Sequence, residues 1–159
     1  TYTDAAVSRE DIETILHAGM SAPSCVNARD WEFIVVTDRE MLNKMADANG
    51  RPAEPLRNAA FGVLVCGDLD KAFEKDPDYW IIDAAAVCEN MIIAATGMGI
   101  GSVWLGTYPQ MRRVNNQKEL FGLPENIVPH SCIAFGYPVS PDTDRKDRYE
   151  PEKVHYNKW

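Results

Sequence analysis

Apolar and polar positions follow two periods along this chain, and the longest helical pattern lies near its middle. Over residues 83–98 the apolar side chains recur at helical spacing, and the opposite face is mostly apolar as well. A helix that is apolar on all sides is normally wrapped by other protein. The pattern therefore predicts a central core helix over 83–98.

A corner of three glycines follows this helix. Gly97, Gly99 and Gly101 permit a tight reversal, after which residues 102–108 have the pattern of a short strand. A dinucleotide fingerprint needs G-x-G-x-x-G after a strand and at the start of a helix, whereas here both the spacing and the order differ. We therefore predict no Rossmann site. The glycines either end the helix and nothing more, or form part of another site.

The rest of the chain predicts short elements in mixed order. Helices are predicted over 9–18, 39–48 and 109–120, and strands over 31–37, 61–66 and 131–137. Residues 1–159 are therefore expected to form a single α+β domain, with a mainly antiparallel central sheet covered by helices. The charged segment 69–79 is either a lid or an exposed connection.

The last part of the chain, residues 139–159, has almost no helical or strand pattern. It ends in the apolar residues Val154, Tyr156 and Trp159. An apolar end on a polar segment indicates docking, either on its own core or on a partner subunit. We refer to residues 139–159 as the C-terminal arm.

Composition narrows the classes of function. The chain has 159 residues, 45% of them hydrophobic, and a formal net charge of −8. That charge argues against a nucleic-acid or membrane-binding surface, since both need a basic face. We found neither a signal-peptide pattern nor an apolar run approaching the roughly 20 residues that cross a bilayer, so a cytoplasmic protein is expected. The four cysteines and three histidines are scattered, which predicts no metal site.

Five blocks in register carry a family resemblance. They are A-P-S-C-V-N-A-R-D-W at 22–31, the long apolar stretch at 83–106, A-F-G-Y-P at 134–138, K-D-R at 146–148 and V-H-Y-N at 154–157. Together they resemble the short members of the nitroreductase family of FMN oxidoreductases. The resemblance covers nearly the whole chain. It implies an intertwined homodimer with two FMN sites at the subunit interface.

The resemblance also implies which residues contact the cofactor. They are Pro23, Ser24, Cys25 and Asn27 in a loop of one subunit, Trp104, Leu105 and Gly106 on a strand of the other, and Lys146 and Arg148 at the phosphate. A phosphate entering so acidic a chain needs paired cations. Other interpretations of the residues stay open: a solvated loop for K-D-R, an Asx turn for Asn27 and core packing for Trp104.

Two departures from the family pattern affect the expected site. Members usually carry an R-R-S-x-R block before the position of Tyr2, whereas this sequence begins at Thr1. Either first residues are missing, or the phosphate depends on Lys146, Arg148 and a residue not recognised. The family's N-x-Q-P-W is N-A-R-D-W here, so Arg29 either supplies a cation or forms a surface ion pair with Asp30.

The activity implied by the resemblance is reduction of FMN by NAD(P)H, followed by reduction of a nitroaromatic, a quinone or a similar small acceptor at the same pocket. The cofactor carries this chemistry, so no catalytic side chain is predicted. The first alternative is a flavin-binding module for storage or sensing without turnover. Reductive dehalogenation or flavin fragmentation on the same fold would need a longer lid, and a generic interaction domain is the alternative outside the family.

Overall fold

The order of helices and strands follows the predicted pattern. The structure, a computed structural model, describes residues 1–140 and 147–159. The helices are α1 (Arg9–Met20), α2 (Arg39–Asn49), α3 (Tyr79–Gly97) and α4 (Met111–Phe121), and the strands are β1 (Trp31–Val36), β2 (Phe61–Asp68), β3 (Gly101–Gly106) and β4 (Ile127–Gly136). Short 3₁₀ turns cover Cys25–Asn27, Arg51–Asn58 and Pro151–Lys153.

The four strands form one sheet in the order β1, β2, β4, β3, and every pairing is antiparallel. The predicted α+β class with an antiparallel sheet is therefore confirmed. In the last pairing Trp104 lies opposite Ile133 and Gly106 lies opposite Ser131. Because β3 is an edge strand of this sheet, one side of its backbone can be reached by other groups.

Helices cover the sheet on both faces. Alternate residues of a strand point to opposite sides, so each face has its own core. On one face α1 and α3 pack over buried side chains of the sheet that include Val63, Val65 and Ile133. On the other face α2 and α4 cover Leu64 and Leu105. We call these the α3 face and the α2/α4 face.

The helix α3 is longer than predicted, because it begins four residues before Asp83, at Tyr79. Ile82 and Ile93 on its outer side are each 61% exposed. By length and composition alone α3 could cross a membrane, with a mean hydropathy of 1.3, so the expectation that no apolar stretch approaches that length is wrong. A core helix of a soluble protein meets the same criterion, and this one packs against α1 and the sheet.

Local sequence explains where α1 and α2 begin. The Ser8 side chain accepts a hydrogen bond from the Asp11 backbone N–H at 3.0 Å, and Asp38 does the same for Met41 at 2.8 Å. These bonds satisfy backbone donors that have no partner inside the helix. The predicted start of each helix is confirmed.

The segment between β2 and α3 is an exposed connection, which is one of the two predicted possibilities. Its start is fixed by Asp68, whose carboxylate accepts a hydrogen bond from Asn126 at 2.8 Å and pairs with Lys71 at 3.1 Å. Leu69 is tied to the same loop by a bond from its N–H to the Asn126 carbonyl.

The two ends of the chain differ in how they are held. Tyr2 forms a β-bridge with Pro138, and its hydroxyl donates to the Ala134 carbonyl at 3.1 Å. The far end of the C-terminal arm is exposed, and Trp159 is 99% exposed with its ring 4.2 Å from that of His155. The arm therefore does not bury Trp159 against its own core, and docking on a partner stays a prediction.

Candidate functional site

The C-terminal end of β3 is held in place by side chains from two helices. The Gly106 carbonyl accepts one hydrogen bond from Arg113 at 2.9 Å and a second from Asn49 at 3.3 Å. Asn49 ends α2 and Arg113 lies in the first turn of α4. Two donors from separate helices fix the orientation of the peptide that follows Gly106.

A buried polar network supports these contacts. The Thr107 hydroxyl donates to the Asn49 side-chain oxygen at 2.7 Å, and both residues are fully buried. Gln117 donates to the Met45 carbonyl at 2.9 Å and is also fully buried. Because buried polar groups are costly to leave without partners, this network resists displacement of the strand end.

Open space lies above Gly106. A Cβ atom added there would meet no atom of the described residues within 4 Å, and the backbone of Gly106 is not in the left-handed region. Trp104 lies two residues earlier and on the same face, and its side chain is 37% exposed. A rigid strand end, open space and an aromatic side chain together form a surface on which a flat ring can lie.

The Trp104 side chain is itself held by β4. Its indole N–H donates to the Ser131 hydroxyl at 2.7 Å, and that hydroxyl lies 3.0 Å from His130 Nδ1. The His130 ring packs edge-on against Trp80 of α3, with ring centroids 5.7 Å apart. Burial lowers the pKa of His130 to about 4, although a hydrogen bond to the Ile81 carbonyl opposes that shift. His130 is therefore neutral at neutral pH.

The loop at residues 23–29 is tied to the start of α3. Both carboxylate oxygens of Asp83 accept from the Cys25 backbone N–H, at 2.9 and 3.1 Å, and the Ser24 hydroxyl accepts from the Arg29 N–H at 2.9 Å. Val26 has φ 47°, Asn27 has φ 60° and Arg29 has φ 48°. Positive φ is uncommon outside glycine, and for a β-branched residue such as Val26 it is strained. Such strain is typical of loops that serve a site.

A buried carboxyl pair lies beneath this loop. Asp30 is 1% exposed, and its Oδ2 atom has no hydrogen-bond partner among the described residues. Burial is the main cause that raises the pKa of Asp30 to about 6, and the neighbouring Asp83 raises it further. Asp30 is thus an interior group, and the surface ion pair with Arg29 considered from the sequence does not form.

The predicted cofactor residues of the loop and of β3 lie on different surfaces. Pro23, Ser24 and Cys25 line a cleft of about 240 Å³ against Tyr79, Ile82, Asp83 and Ala86 of α3. Trp104 and Gly106 face the open space on β3, whereas Leu105 points into the α2/α4 core and can offer only its backbone. Asn27 lies in the strained part of the loop, outside the residues that line the cleft.

Arg148 is exposed on the C-terminal arm, and Lys146 lies outside the described residues. The structure therefore brings the loop together with α3, but within the described part of one chain it does not join the loop to β3. The cleft at the loop and the open space at Gly106 are separate surfaces of the same chain.

Sequence reasoning did not identify several residues that hold the site. Asn49, Thr107 and Arg113 support Gly106, and Ser131 with His130 holds Trp104. Asn49 lies just beyond the helix predicted over 39–48, and the helical pattern assigns it no role in a site. The polar pair His130 and Ser131, which interrupts the otherwise apolar strand β4, is a sequence feature that could have indicated buried polar contacts there.

The arrangement fits a flat aromatic cofactor better than a metal or a catalytic dyad. Open space over Gly106 and the exposed Trp104 side chain offer a planar surface. Among the described residues no cluster of three or more His, Cys, Asp or Glu side chains could hold a metal ion. The surface can therefore position a ring along β3, and the chemistry would come from that ring.

Comparison with known proteins supports the same family. The family model described as Nitroreductase family matches residues 1–53 and 51–137. A protein of Archaeoglobus fulgidus, provisionally named NADH dehydrogenase/NAD(P)H nitroreductase, is 45% identical over 99% of this chain and 91% of its own length.

Solved structures show the same similarity over the whole chain. A crystal structure from Bacteroides thetaiotaomicron with that provisional name is 41% identical, covers 100% of this chain and 90% of its own, and has a TM-score of 0.92. An FMN-dependent nitroreductase of Clostridium difficile is 28% identical with a TM-score of 0.88, over 100% of this chain and 93% of its own. This chain belongs to the nitroreductase family.

Proposed function

We propose that this protein binds FMN and uses NAD(P)H to reduce nitroaromatics, quinones or similar small acceptors. The observation that carries the proposal is the open space above Gly106 on a strand end held by buried hydrogen bonds. The Clostridium difficile relative is named as FMN-dependent, and the Archaeoglobus fulgidus relative is named for NAD(P)H. Family membership and the local geometry support the same cofactor.

Each part of the chain has a distinct task toward FMN in this proposal. The backbone from Trp104 to Gly106 lies along the ring, and Pro23, Ser24, Cys25 and Asn27 of a second copy contact its other side. Arg148 together with Lys146 neutralises the phosphate, because an arginine binds it through two parallel hydrogen bonds and a lysine adds a point charge.

When bound, FMN would supply the redox chemistry, accepting a hydride from NAD(P)H and passing electrons to the acceptor. The donor and the acceptor use one pocket in turn, which is a ping-pong scheme. The protein orients the ring and excludes water. No side chain is assigned as an acid or a base, and His130 is unsuited to either task because its pKa of about 4 makes it a weak base and leaves no imidazolium to donate a proton at neutral pH.

A second copy of the chain completes the site in this proposal. Ile82 and Ile93 leave an apolar stripe on the outer side of α3, and the cleft lined by Cys25 opens beside Ile82. Tyr156 and Trp159 on the C-terminal arm are exposed as well. Burial of such apolar surface drives association, so two copies would cover these surfaces for each other. We place this dimer in the cytoplasm.

The purified protein tests the proposal directly. We expect a yellow protein with a flavin absorption spectrum and the elution volume of a dimer. Under anaerobic conditions, NADH or NADPH should bleach the flavin within seconds, and a nitroaromatic or a quinone should restore the colour. A protein that retains flavin but is bleached by neither nucleotide would instead be a flavin-storage or flavin-sensing module. A colourless monomer that takes up no added FMN would disprove both.

A further inference from the structure

The hydrogen-bonded chain from Trp104 to Ser131 and His130 starts at an indole N–H, which fixes the direction of its first bond. An indole N–H can donate but cannot accept, so it uses a lone pair of the Ser131 oxygen. The Ser131 hydroxyl is then free to donate its own proton to His130 Nδ1. In that arrangement Nδ1 is the acceptor, and the single ring proton of the neutral imidazole lies on Nε2, where it can serve the hydrogen bond to the Ile81 carbonyl.

The surroundings of His130 agree with this direction. Burial lowers the pKa of His130 to about 4, so the ring is neutral at neutral pH and one of its two nitrogens is an acceptor. The Ser131 hydroxyl has one proton to donate, and an imidazole nitrogen 3.0 Å away is a good acceptor for it.

Trp104 needs such support because it lies on an edge strand with much of its side chain in solvent. It is 37% exposed, whereas Ser131 is 1% exposed. The indole also tilts against the His130 ring at 54°, with centroids 6.3 Å apart. A hydrogen bond at the indole nitrogen together with a ring contact restricts both side-chain torsions of Trp104.

The fixed indole borders the open space above Gly106, since Trp104 and Gly106 lie on the same face of β3. We propose that Ser131 and His130 are positioning residues that hold the Trp104 indole as a fixed wall of this space, so that the site prefers flat aromatic acceptors to bulky non-planar ones. This inference rests on the proposed function. A fixed aromatic wall favours flat rings because they can pack against its face or edge without displacing it.

The first test measures the indole itself in the apo protein. The chain has four tryptophans, and Trp104→Phe identifies the Trp104 indole signal in a proton–nitrogen NMR spectrum. In Ser131→Ala we expect this signal to move and its N–H proton to exchange faster with solvent. Thr14→Ala, on the exposed side of α1, removes a hydroxyl far from the site and is the matched control. An unchanged Trp104 signal in Ser131→Ala would overturn the inference.

Two substitutions of His130 separate hydrogen bonding from packing. His130→Asn keeps an acceptor near the position of Nδ1, whereas His130→Leu fills the space without one. We expect His130→Asn to keep the Trp104 signal close to that of the wild type and His130→Leu to lose it. Equal loss of the Trp104 signal in both variants would mean that His130 does not act as a hydrogen-bond acceptor. That result would contradict the hydrogen-bonded chain from Trp104 to His130.

The second test measures acceptor choice with the FMN-loaded protein. In Ser131→Ala we expect KM for a flat nitroaromatic to rise about fivefold at unchanged kcat, while kcat/KM for ferricyanide, an octahedral non-aromatic acceptor, stays constant. An unchanged ratio of the kcat/KM values for the two acceptors would show that the Trp104 indole does not determine acceptor choice. If the wild-type protein takes up no FMN, the proposed function fails together with the acceptor preference, while the indole signals still decide whether Ser131 and His130 hold Trp104.

Discussion

The two faces of the sheet differ in how much apolar and open surface they leave exposed. On the α2/α4 face, Leu42 and Leu105 are buried, and Asn49 and Thr107 satisfy each other inside the core. On the α3 face the interior is equally well packed, but Ile93 remains exposed on the outer side of α3 and the space over Gly106 is open. Both cores are therefore packed within a single chain, whereas the outer side of α3 and the space over Gly106 leave surface for another molecule to cover.

This difference explains a sequence feature that local structure alone does not. A surface helix normally has one apolar stripe, whereas α3 is apolar on nearly all sides. Its inner side packs on α1 and β2. Its outer side makes physical sense if a second copy covers it, which is the dimer proposed above.

The largest expected effect tests whether the two faces differ in this way. We expect Leu42→Ala to lower the free energy of unfolding by about 2–5 kcal/mol at any protein concentration, because it leaves a cavity in a completed core. Ile93→Ala should cost less than about 0.5 kcal/mol in dilute solution and more at high concentration, because its contact forms in the dimer. Urea unfolding at two concentrations measures both, and an Ile93→Ala effect that is large and independent of concentration would contradict the comparison.

The next effect concerns the C-terminal arm. Arg148→Ala should weaken FMN binding by about 1.5–3 kcal/mol, because a charge-assisted contact to the phosphate is lost. Lys158→Ala removes a cation from the same exposed arm and should leave the affinity unchanged. Titration calorimetry with FMN measures both variants. If the two variants weaken FMN equally, Arg148 contributes only to the overall charge and not to a phosphate contact.

Much of the fold could be predicted from the sequence because helices and strands are determined by local spacing. The start of α1 at Arg9 and the core helix after Asp83 are examples, and both were placed correctly to within a few residues. The cofactor residues came from family resemblance. The contact between Asn49 and Thr107 could not be predicted, because it joins residues 58 positions apart that meet only after α2 packs beside the end of β3.

A smaller effect probes the open space itself. Gly106→Ala should leave the apo protein as stable as the wild type, since the added methyl group meets no atom of the described residues and the backbone is compatible with alanine. It should weaken FMN binding by about tenfold, because the methyl group occupies the space assigned to the ring. Apo stability by thermal unfolding and FMN affinity by fluorescence separate the two effects. Unchanged FMN affinity would show that the ring does not lie over Gly106.

The smallest effect concerns Asp30 and His130, two buried titratable groups that contact residues of α3. The α2/α4 face has no counterpart in its buried pair Asn49 and Thr107, because neither side chain titrates. The folded-state pKa of Asp30 is raised from 3.8 to about 6, so the folded protein keeps a proton that the unfolded chain has lost, and stability falls as pH rises through this range. The folded-state pKa of His130 is lowered from 6.5 to about 4. Here the unfolded chain binds the extra proton, and stability rises with pH over nearly the same window.

The two slopes oppose each other, so the wild-type free energy of unfolding should vary little between pH 4 and pH 6.5 on their account. Asp30→Asn removes the falling contribution, and its stability should rise over this window by on the order of 1 kcal/mol relative to wild type. His130→Asn removes the rising contribution, and its stability should fall by a similar amount. Urea unfolding at four pH values measures both slopes. Slopes of the same sign in the two variants would show that at least one of these groups is not buried as the structure has it.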